Sequence, residues 1–135
     1  MAGPGITLAS PPDVFPVAAY EHASVAGGFI HIAGQVARDE NGHWVGGDDA
    51  GAQAGQIYRN IGRILAHLGA GPENVVKITV YILSHDNWEG VTRARQDFFG
   101  DHRPPHTGIV VAGLGGPQVK IEIEVTAYLP PGTDG

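Results

Sequence analysis

Residues 119–129 read VKIEIEVTAYL, an alternation of apolar and polar side chains that is typical of a β-strand. A period of two places the apolar residues on one face of a β-strand and the polar residues on the other. A second stretch, VVKITVYIL at residues 75–83, has the same β-branched composition. Its apolar face is predicted to comprise Val76, Ile78, Val80 and Ile82. Two strands of this kind predict a sheet that is covered on one face.

Two amphipathic segments, one on each side of the second strand, predict the helices that cover this face. The signals of the first begin at Asp48-Asp49, two residues that suit its positive N-terminal end, and Gly69 or Gly71 is suited to end it. The second is predicted to begin at Asp86, with Glu89 three residues later as a capping box. The apolar stripe of the first helix is Ala50, Ala54, Ile57, Ile61, Ile64, Leu65 and Leu68, and that of the second is Trp88, Val91, Ala94 and Phe98.

The remaining segments complete one α+β domain over residues 1–135. Gly27-Gly28 predicts a hairpin within residues 21–36, and residues 107–114 predict a further strand. Residues 1–14 form an N-terminal arm, which can hold a short edge strand, and residues 130–135 form a tail. The predicted order is ββαβαββ, a mixed sheet with both helices on one face, since right-handed crossovers place them on the same side.

The other face of this sheet is predicted to meet another copy of the chain. It carries Lys77, Tyr81, Glu122 and Glu124 among smaller residues, a mixture too polar for an ordinary core and too apolar for a fully hydrated surface. The simplest partner for such a face is itself, so we expect an oligomer.

Composition excludes several classes of function. Eight basic against 14 acidic residues, a net charge of −6, argue against a nucleic-acid partner. The absence of cysteine excludes disulfides, thiolate metal ligands and a cysteine nucleophile. No signal peptide is visible, and no apolar run approaches the roughly 20 residues that span a bilayer. We therefore expect a cytoplasmic protein with no membrane partner.

Several segments together resemble the Rid family, also called the YjgF, RidA or reactive intermediate deaminase family. They occur in matching order and spacing over residues 15–129, nearly the whole chain. They include Ala33-Gly34-Gln35, Val75-Val76-Lys77-Ile78-Thr79-Val80-Tyr81, Phe98-Phe99-Gly100-Asp101-His102-Arg103-Pro104 and Val119-Lys120-Ile121-Glu122-Ile123-Glu124. The resemblance implies a chorismate-mutase-like fold and a homotrimer with clefts between its subunits. It also implies hydrolysis of imines or enamines derived from amino acids to keto acids and ammonia, without metal or organic cofactor.

Carried over residue by residue, the resemblance implies a set of site residues. Glu122 matches the family's carboxylate on the last strand and is expected to position or activate water. Tyr20 is kept and is expected to cover the cleft. His22 stands on the same side as Tyr20 and can join the small-molecule site, and Thr92 occupies the place of an asparagine on the second helix.

The loop before residue 107 departs from the family. Members commonly read His-Arg-Pro-Ala-Arg-Thr, and the second arginine binds the substrate carboxylate as a fork. In this chain His106 stands in place of that second arginine, and Thr107 follows it. Arg103 stands in place of the family's first arginine. An imidazole cannot present two parallel donors, so the substrate is expected to lack an α-carboxylate or to hold it differently. His106 is expected to act as donor or as general acid and base, with Arg103 and Thr107 as binding residues.

Other chemistries lack support in the sequence. Two prolines between His102 and His106 prevent a helix that would bring these imidazoles together, and no metal-binding motif accompanies them, so no metal site is predicted. No phosphate-binding glycine motif is present. The alternatives to an imine hydrolase are a non-catalytic trimer that binds a metabolite and an endoribonuclease or translation inhibitor, which the acidic charge opposes.

Overall fold

The computed structural model describes residues 2–131. Residues 132–135 of the predicted tail lie outside the described part of the chain. The strands are β1 (Ile6–Ala9), β2 (Ala23–Ala26), β3 (Phe29–Gln35), β4 (Val75–Ile82), β5 (His106–Val110) and β6 (Ile121–Tyr128), and the helices are α1 (Ala50–His67) and α2 (Trp88–Phe99). The predicted ββαβαββ unit is confirmed, and the N-terminal arm adds β1 as an edge strand.

The six strands form one mixed sheet in the order β1-β2-β3-β6-β4-β5. The alternating stretch at residues 119–129 contains β6, which lies inside the sheet and is antiparallel to both β3 and β4. β4 and β5 are parallel, joined through α2. The hairpin between β2 and β3 turns at Gly27 and Gly28, whose φ values of 59° and 81° favour glycine.

Both helices pack on the same face of the sheet, as predicted. The apolar stripe of α1 is buried against β3, β6 and α2, and Asp49 caps the helix by accepting a hydrogen bond from the Gly51 N–H. Gly69, with φ 80°, follows the C-terminus. The side chains buried completely or nearly so in this core include Ile30, Ile57, Ile61, Ile64, Leu65, Ile78, Ile82, Ile121 and Ile123. The opposite face is left without cover within one chain, and we call it the open face.

Three local expectations were wrong. The strand predicted over residues 107–114 ends at Val110, because residues 111–114 do not continue the pairing with β4. Val76 is 41% exposed, whereas Val75 is 1% exposed, because the pairing of β4 with β6 shifts register between Val75 and Lys77. Asn87, not Asp86, caps α2: its backbone is left-handed, with φ 54°, and its side chain accepts a hydrogen bond from the Gly90 N–H. Asparagine tolerates this conformation better than most residues, which is why the helix begins at Trp88.

Candidate active site

Tyr20, His22 and Glu122, three of the residues predicted from the sequence, line one cavity of about 240 Å³. We call it the Glu122 cavity. It lies beside β3 and β6, under the chain that leads from the N-terminal arm into β2. Its other lining residues are Val14, Phe15, Pro16, Val17, Gly34, Gln35, Val36, Arg38, Trp44, Asn60, Gly115 and Val119. The cavity therefore combines one carboxylate, one guanidinium and several aromatic rings.

Glu122 reaches this cavity from the open face of β6, where it pairs with Tyr81 of β4. The register between β3 and β6 shifts between Ile32 and Gln35, and this bulge brings Gly34 against the Glu122 side chain. A Cβ atom at Gly34 would lie 2.7 Å from the Glu122 carboxyl carbon, closer than real side chains approach. Glycine at position 34 thus makes the room in which the carboxylate lies.

Burial raises the pKa of the Glu122 carboxyl, and the negative charge of Glu124 raises it further. Glu124, two residues along the same face, accepts a hydrogen bond from the Tyr81 hydroxyl at 2.7 Å. That hydrogen bond is the largest cause of the raised pKa of Tyr81. The two carboxylates therefore differ in their surroundings. Glu124 accepts a hydrogen bond from the Tyr81 hydroxyl, whereas Glu122 has its pKa raised from the ordinary value toward neutral pH.

His22 is 4% exposed, and both of its ring nitrogens are engaged. Nε2 donates to the Phe15 carbonyl at 2.8 Å, and Nδ1 accepts from Gln35 Nε2 at 3.1 Å. Because Gln35 also donates to the Ala33 carbonyl, this network fixes the tautomer of His22. The imidazole thus supports the wall of the Glu122 cavity and has no free nitrogen for a ligand.

Arg38 is a residue of this cavity that the sequence analysis missed. Its guanidinium lies 4.3 Å from the ring centre of Phe15 and 5.1 Å from that of Trp44. Nε and Nη2 donate to the Gly42 carbonyl at 3.2 and 3.1 Å. Phe15 is distant from Arg38 and Trp44 in the sequence, and the three match no motif, so only the fold reveals the cluster.

His106 lies elsewhere in the same chain. In the parallel pairing it stands opposite Ile78 of β4, and its ring therefore points to the helix side of β5, where it meets Trp88 edge to face at 6.3 Å. Gly108 leaves room for this contact, because a Cβ there would lie 3.2 Å from Trp88. Thr92 follows Trp88 by one turn on the same face of α2.

Next to His106 is a cleft of about 400 Å³, which we call the His106 cleft. Its lining residues are Arg95, Gln96, Phe99, Gly100, His102, Arg103, Pro104 and His106. Burial lowers the pKa of His106, and the positive charges of Arg95 and Lys77 lower it further. His106 is thus held as a neutral imidazole at physiological pH, able to donate or accept one hydrogen bond.

The residues predicted for one site are therefore divided between two places in one chain. Tyr20, His22 and Glu122 lie at the Glu122 cavity, while Arg103 and His106 lie at the His106 cleft, with Thr92 on the adjoining helix face. Thr107 points to the open face, opposite to His106, and accepts a hydrogen bond from Lys77 Nζ.

Within residues 2–131 no group of three or more histidine, aspartate or glutamate side chains is arranged to hold a metal ion. In the same part of the chain, neither helix combines the length and apolarity that crossing a membrane requires.

The position of Gly34 leads to a testable prediction. Replacing Gly34 by Ala is expected to push the Glu122 carboxylate out of its place, because the new Cβ overlaps it. The pKa of Glu122 then falls toward its ordinary value, since the group loses its burial. The melting temperature changes little, because the end of a flexible side chain moves rather than the backbone. A ¹³C NMR titration of the Glu122 carboxyl carbon measures this, and an unchanged pKa would show that Gly34 does not place the carboxylate.

Comparison with known proteins agrees with the fold and with the sequence motifs. Residues 12–129 match the family model described as Endoribonuclease L-PSP. A RutC family protein of Pyrococcus abyssi is 34% identical over 114 residues, which cover 84% of this chain and 88% of that protein. The crystal structure of yeast Mmf1 has a TM-score of 0.85 and 27% identity, covering 93% of this chain and 99% of that one.

A third protein carries the Rid name. YyfB of Yersinia pestis, described as a protein of unknown function of the conserved Rid protein family, has a TM-score of 0.70 and 32% identity. It covers 93% of this chain and 99% of its own. The model match spans most of the chain, and both the fold and the motifs agree with it. The chain belongs to the Endoribonuclease L-PSP family, the YjgF or Rid family that its sequence resembles.

Proposed function

We propose that the protein hydrolyses an imine or enamine of a small metabolite to a carbonyl compound and ammonia, at sites between the subunits of a homotrimer. The observation that carries this proposal is the Glu122 carboxylate, placed against Gly34 in a small cavity with its pKa raised by burial. A carboxylate whose pKa is raised by its surroundings is a stronger base toward water than an ordinary glutamate, and is suited to move protons to and from it.

The open face supports the assembly in this proposal. Three large apolar residues are exposed on that face: Phe29 on β3, Tyr128 on β6 and Ile109 on β5. Glu122 on β6 and Tyr81 on β4 lie on the same face. Exposed apolar area of this kind marks interaction surfaces. A second copy that packs there would bring its own His106 cleft next to the Glu122 cavity, so that each site has a half from each of two subunits.

The reaction needs only proton transfers and one water molecule. Glu122 accepts a proton from water as the oxygen attacks the carbon of the protonated imine, which leaves a neutral carbinolamine and a protonated Glu122. Protonated Glu122 returns its proton to the carbinolamine nitrogen and then accepts the hydroxyl proton as the C–N bond breaks, the C=O bond forms and ammonia leaves; transfer of that last proton to ammonia restores the carboxylate. His106, neutral and partly buried, is placed to hydrogen-bond the substrate, and Tyr20 closes the cavity from the other side.

The direct experiment generates 2-imino acids in place with an amino-acid oxidase and catalase and follows ammonia release. Acceleration over buffer by the purified protein is expected. A panel of imines and enamines that decay at the buffer rate would overturn the proposal.

His106 in place of arginine favours a second candidate, a trimer that binds a metabolite without converting it. A ligand that raises the melting temperature and is recovered unchanged, with no imine hydrolysis, would identify this function. Ribonuclease activity, which the family description names, is opposed by the net charge of −6, since phosphate binding requires a basic surface.

A further inference from the structure

The His106 cleft is basic in an otherwise acidic protein. Arg95 and Arg103 line it together with His106, and no aspartate or glutamate does. Among residues 2–131 neither of these two arginines has a carboxylate partner within ion-pair distance, and neither donates a side-chain hydrogen bond. Guanidinium groups without partners around a concave surface favour an anionic ligand.

Arg95 is the better placed of the two. It lies on α2, one turn after Thr92 and two turns after Trp88, on the helix face that borders His106. Its positive charge acts on two neighbours, lowering the pKa of His106 and opposing the rise in the pKa of Tyr58 that burial causes. The guanidinium is therefore close to both the cleft and the buried ring of Tyr58 on α1.

Arg103 differs in exposure and in anchoring. It is an exposed loop residue, whereas Arg95 is half-buried and held by a helix. A half-buried guanidinium loses less water and less side-chain freedom on binding, so that it gains more from contact with an anion. A neutral His106 can donate only one hydrogen bond to an anion, whereas the guanidinium of Arg95 can donate two in parallel.

We propose that Arg95 binds the carboxylate of the substrate as a two-point donor in the His106 cleft, which makes it the specificity-determining residue for 2-imino acids and related anions. The identity of the substrate rests on the proposed function, whereas the binding of a carboxylate does not. Arg103 adds charge at the entrance of the cleft.

The test is a titration of the full chain with pyruvate as the carboxylate probe, followed by NMR at the Cε1–H signal of His106, which His106→Gln assigns. Arg95→Gln is compared with Arg93→Gln, a matched control two residues away on the exposed side of the same helix.

Wild type and Arg93→Gln are expected to show the same saturable shift. Arg95→Gln is expected to weaken binding by about tenfold or more, the effect of losing a charged two-point contact. Pyruvamide, which has the same shape without the charge, is expected to produce no saturable shift.

The inference is overturned if Arg95→Gln and Arg93→Gln titrate alike, if pyruvamide binds as well as pyruvate, or if wild type shows no saturable shift. Circular dichroism of each variant establishes that it is folded, and Arg95→Lys, which keeps the charge and loses the fork, is expected to bind with intermediate affinity. Pyruvate binding without imine hydrolysis would overturn the proposed function alone. Imine hydrolysis with unchanged KM in Arg95→Gln would overturn the present inference alone.

Discussion

Replacing Glu122 by Gln is expected to lower kcat for imine hydrolysis by about 100-fold or more, because a positioned general base contributes at least that much. Glutamine keeps the size of the side chain and its place against Gly34 but cannot accept a proton from water. Initial rates of ammonia release measure the effect. The matched control is Glu124→Gln, which removes the neighbouring carboxylate on the same strand face and is expected to keep most of the rate. Equal losses in the two variants would remove Glu122 from its role as base.

The same variant has a second readout in stability. The pKa of Glu122 is raised in the folded state, so the folded protein binds the proton more tightly than the unfolded chain does. The charged carboxylate therefore lowers the free energy of unfolding at neutral pH, and this cost disappears as pH falls through the raised pKa toward the ordinary value of the unfolded chain. Glu122→Gln is expected to be more stable than wild type at pH 7, with a difference that shrinks on acidification. Urea unfolding at several pH values measures it, and a constant difference would contradict the raised pKa.

Replacing Ile109 by Asp is expected to dissociate the proposed trimer to a 14.1 kDa monomer and to abolish the proposed imine hydrolysis. Ile109 is exposed on the open face of β5, beside Tyr81 of β4, so the change disturbs little inside one chain. Within an assembly it would bury an unpaired carboxylate at the subunit contact, which costs several kcal/mol.

Val110→Asp is the matched control for this experiment. Val110 is the next residue of the same strand, is 50% exposed, and points to the opposite face. Sedimentation equilibrium is expected to show a trimer for this control and a monomer for Ile109→Asp. A trimer for Ile109→Asp would mean that the open face is not where the subunits meet.

The sequence predicted the parts of the fold whose pattern is local and strong. The alternation in β6 and the long apolar stripe of α1 each match one period over many residues, and both elements were placed correctly. The exposure of Val76 and the capping of α2 by Asn87 were missed. The first depends on a register shift between two strands, and the second on a left-handed backbone at one residue. Neither the register shift nor the left-handed residue produces a periodic pattern in the sequence.

The candidate site was predictable only in part for the same reason. Glu122 and Tyr20 were found through the resemblance, and the structure brings them to one cavity. The direction in which His106 points depends on the parallel register of β4 and β5, and the position of Arg38 depends on its packing against the rings of Phe15 and Trp44. Arg95 was not predicted from the sequence, because a helix position outside the apolar stripe gives no signal until its neighbour across the cleft is known.

If each site takes its Glu122 half from one subunit and its His106 half from another, two inactive variants are expected to restore activity when they are mixed. Glu122→Gln and His106→Ala are unfolded together in equal amounts, refolded, and shown by native mass spectrometry to form mixed trimers. If the halves come from different subunits, about one quarter of the sites contain both intact halves, and activity returns to roughly that share of wild type. Mixed trimers whose activity stays at the level of the separate variants would contradict a site built from two chains.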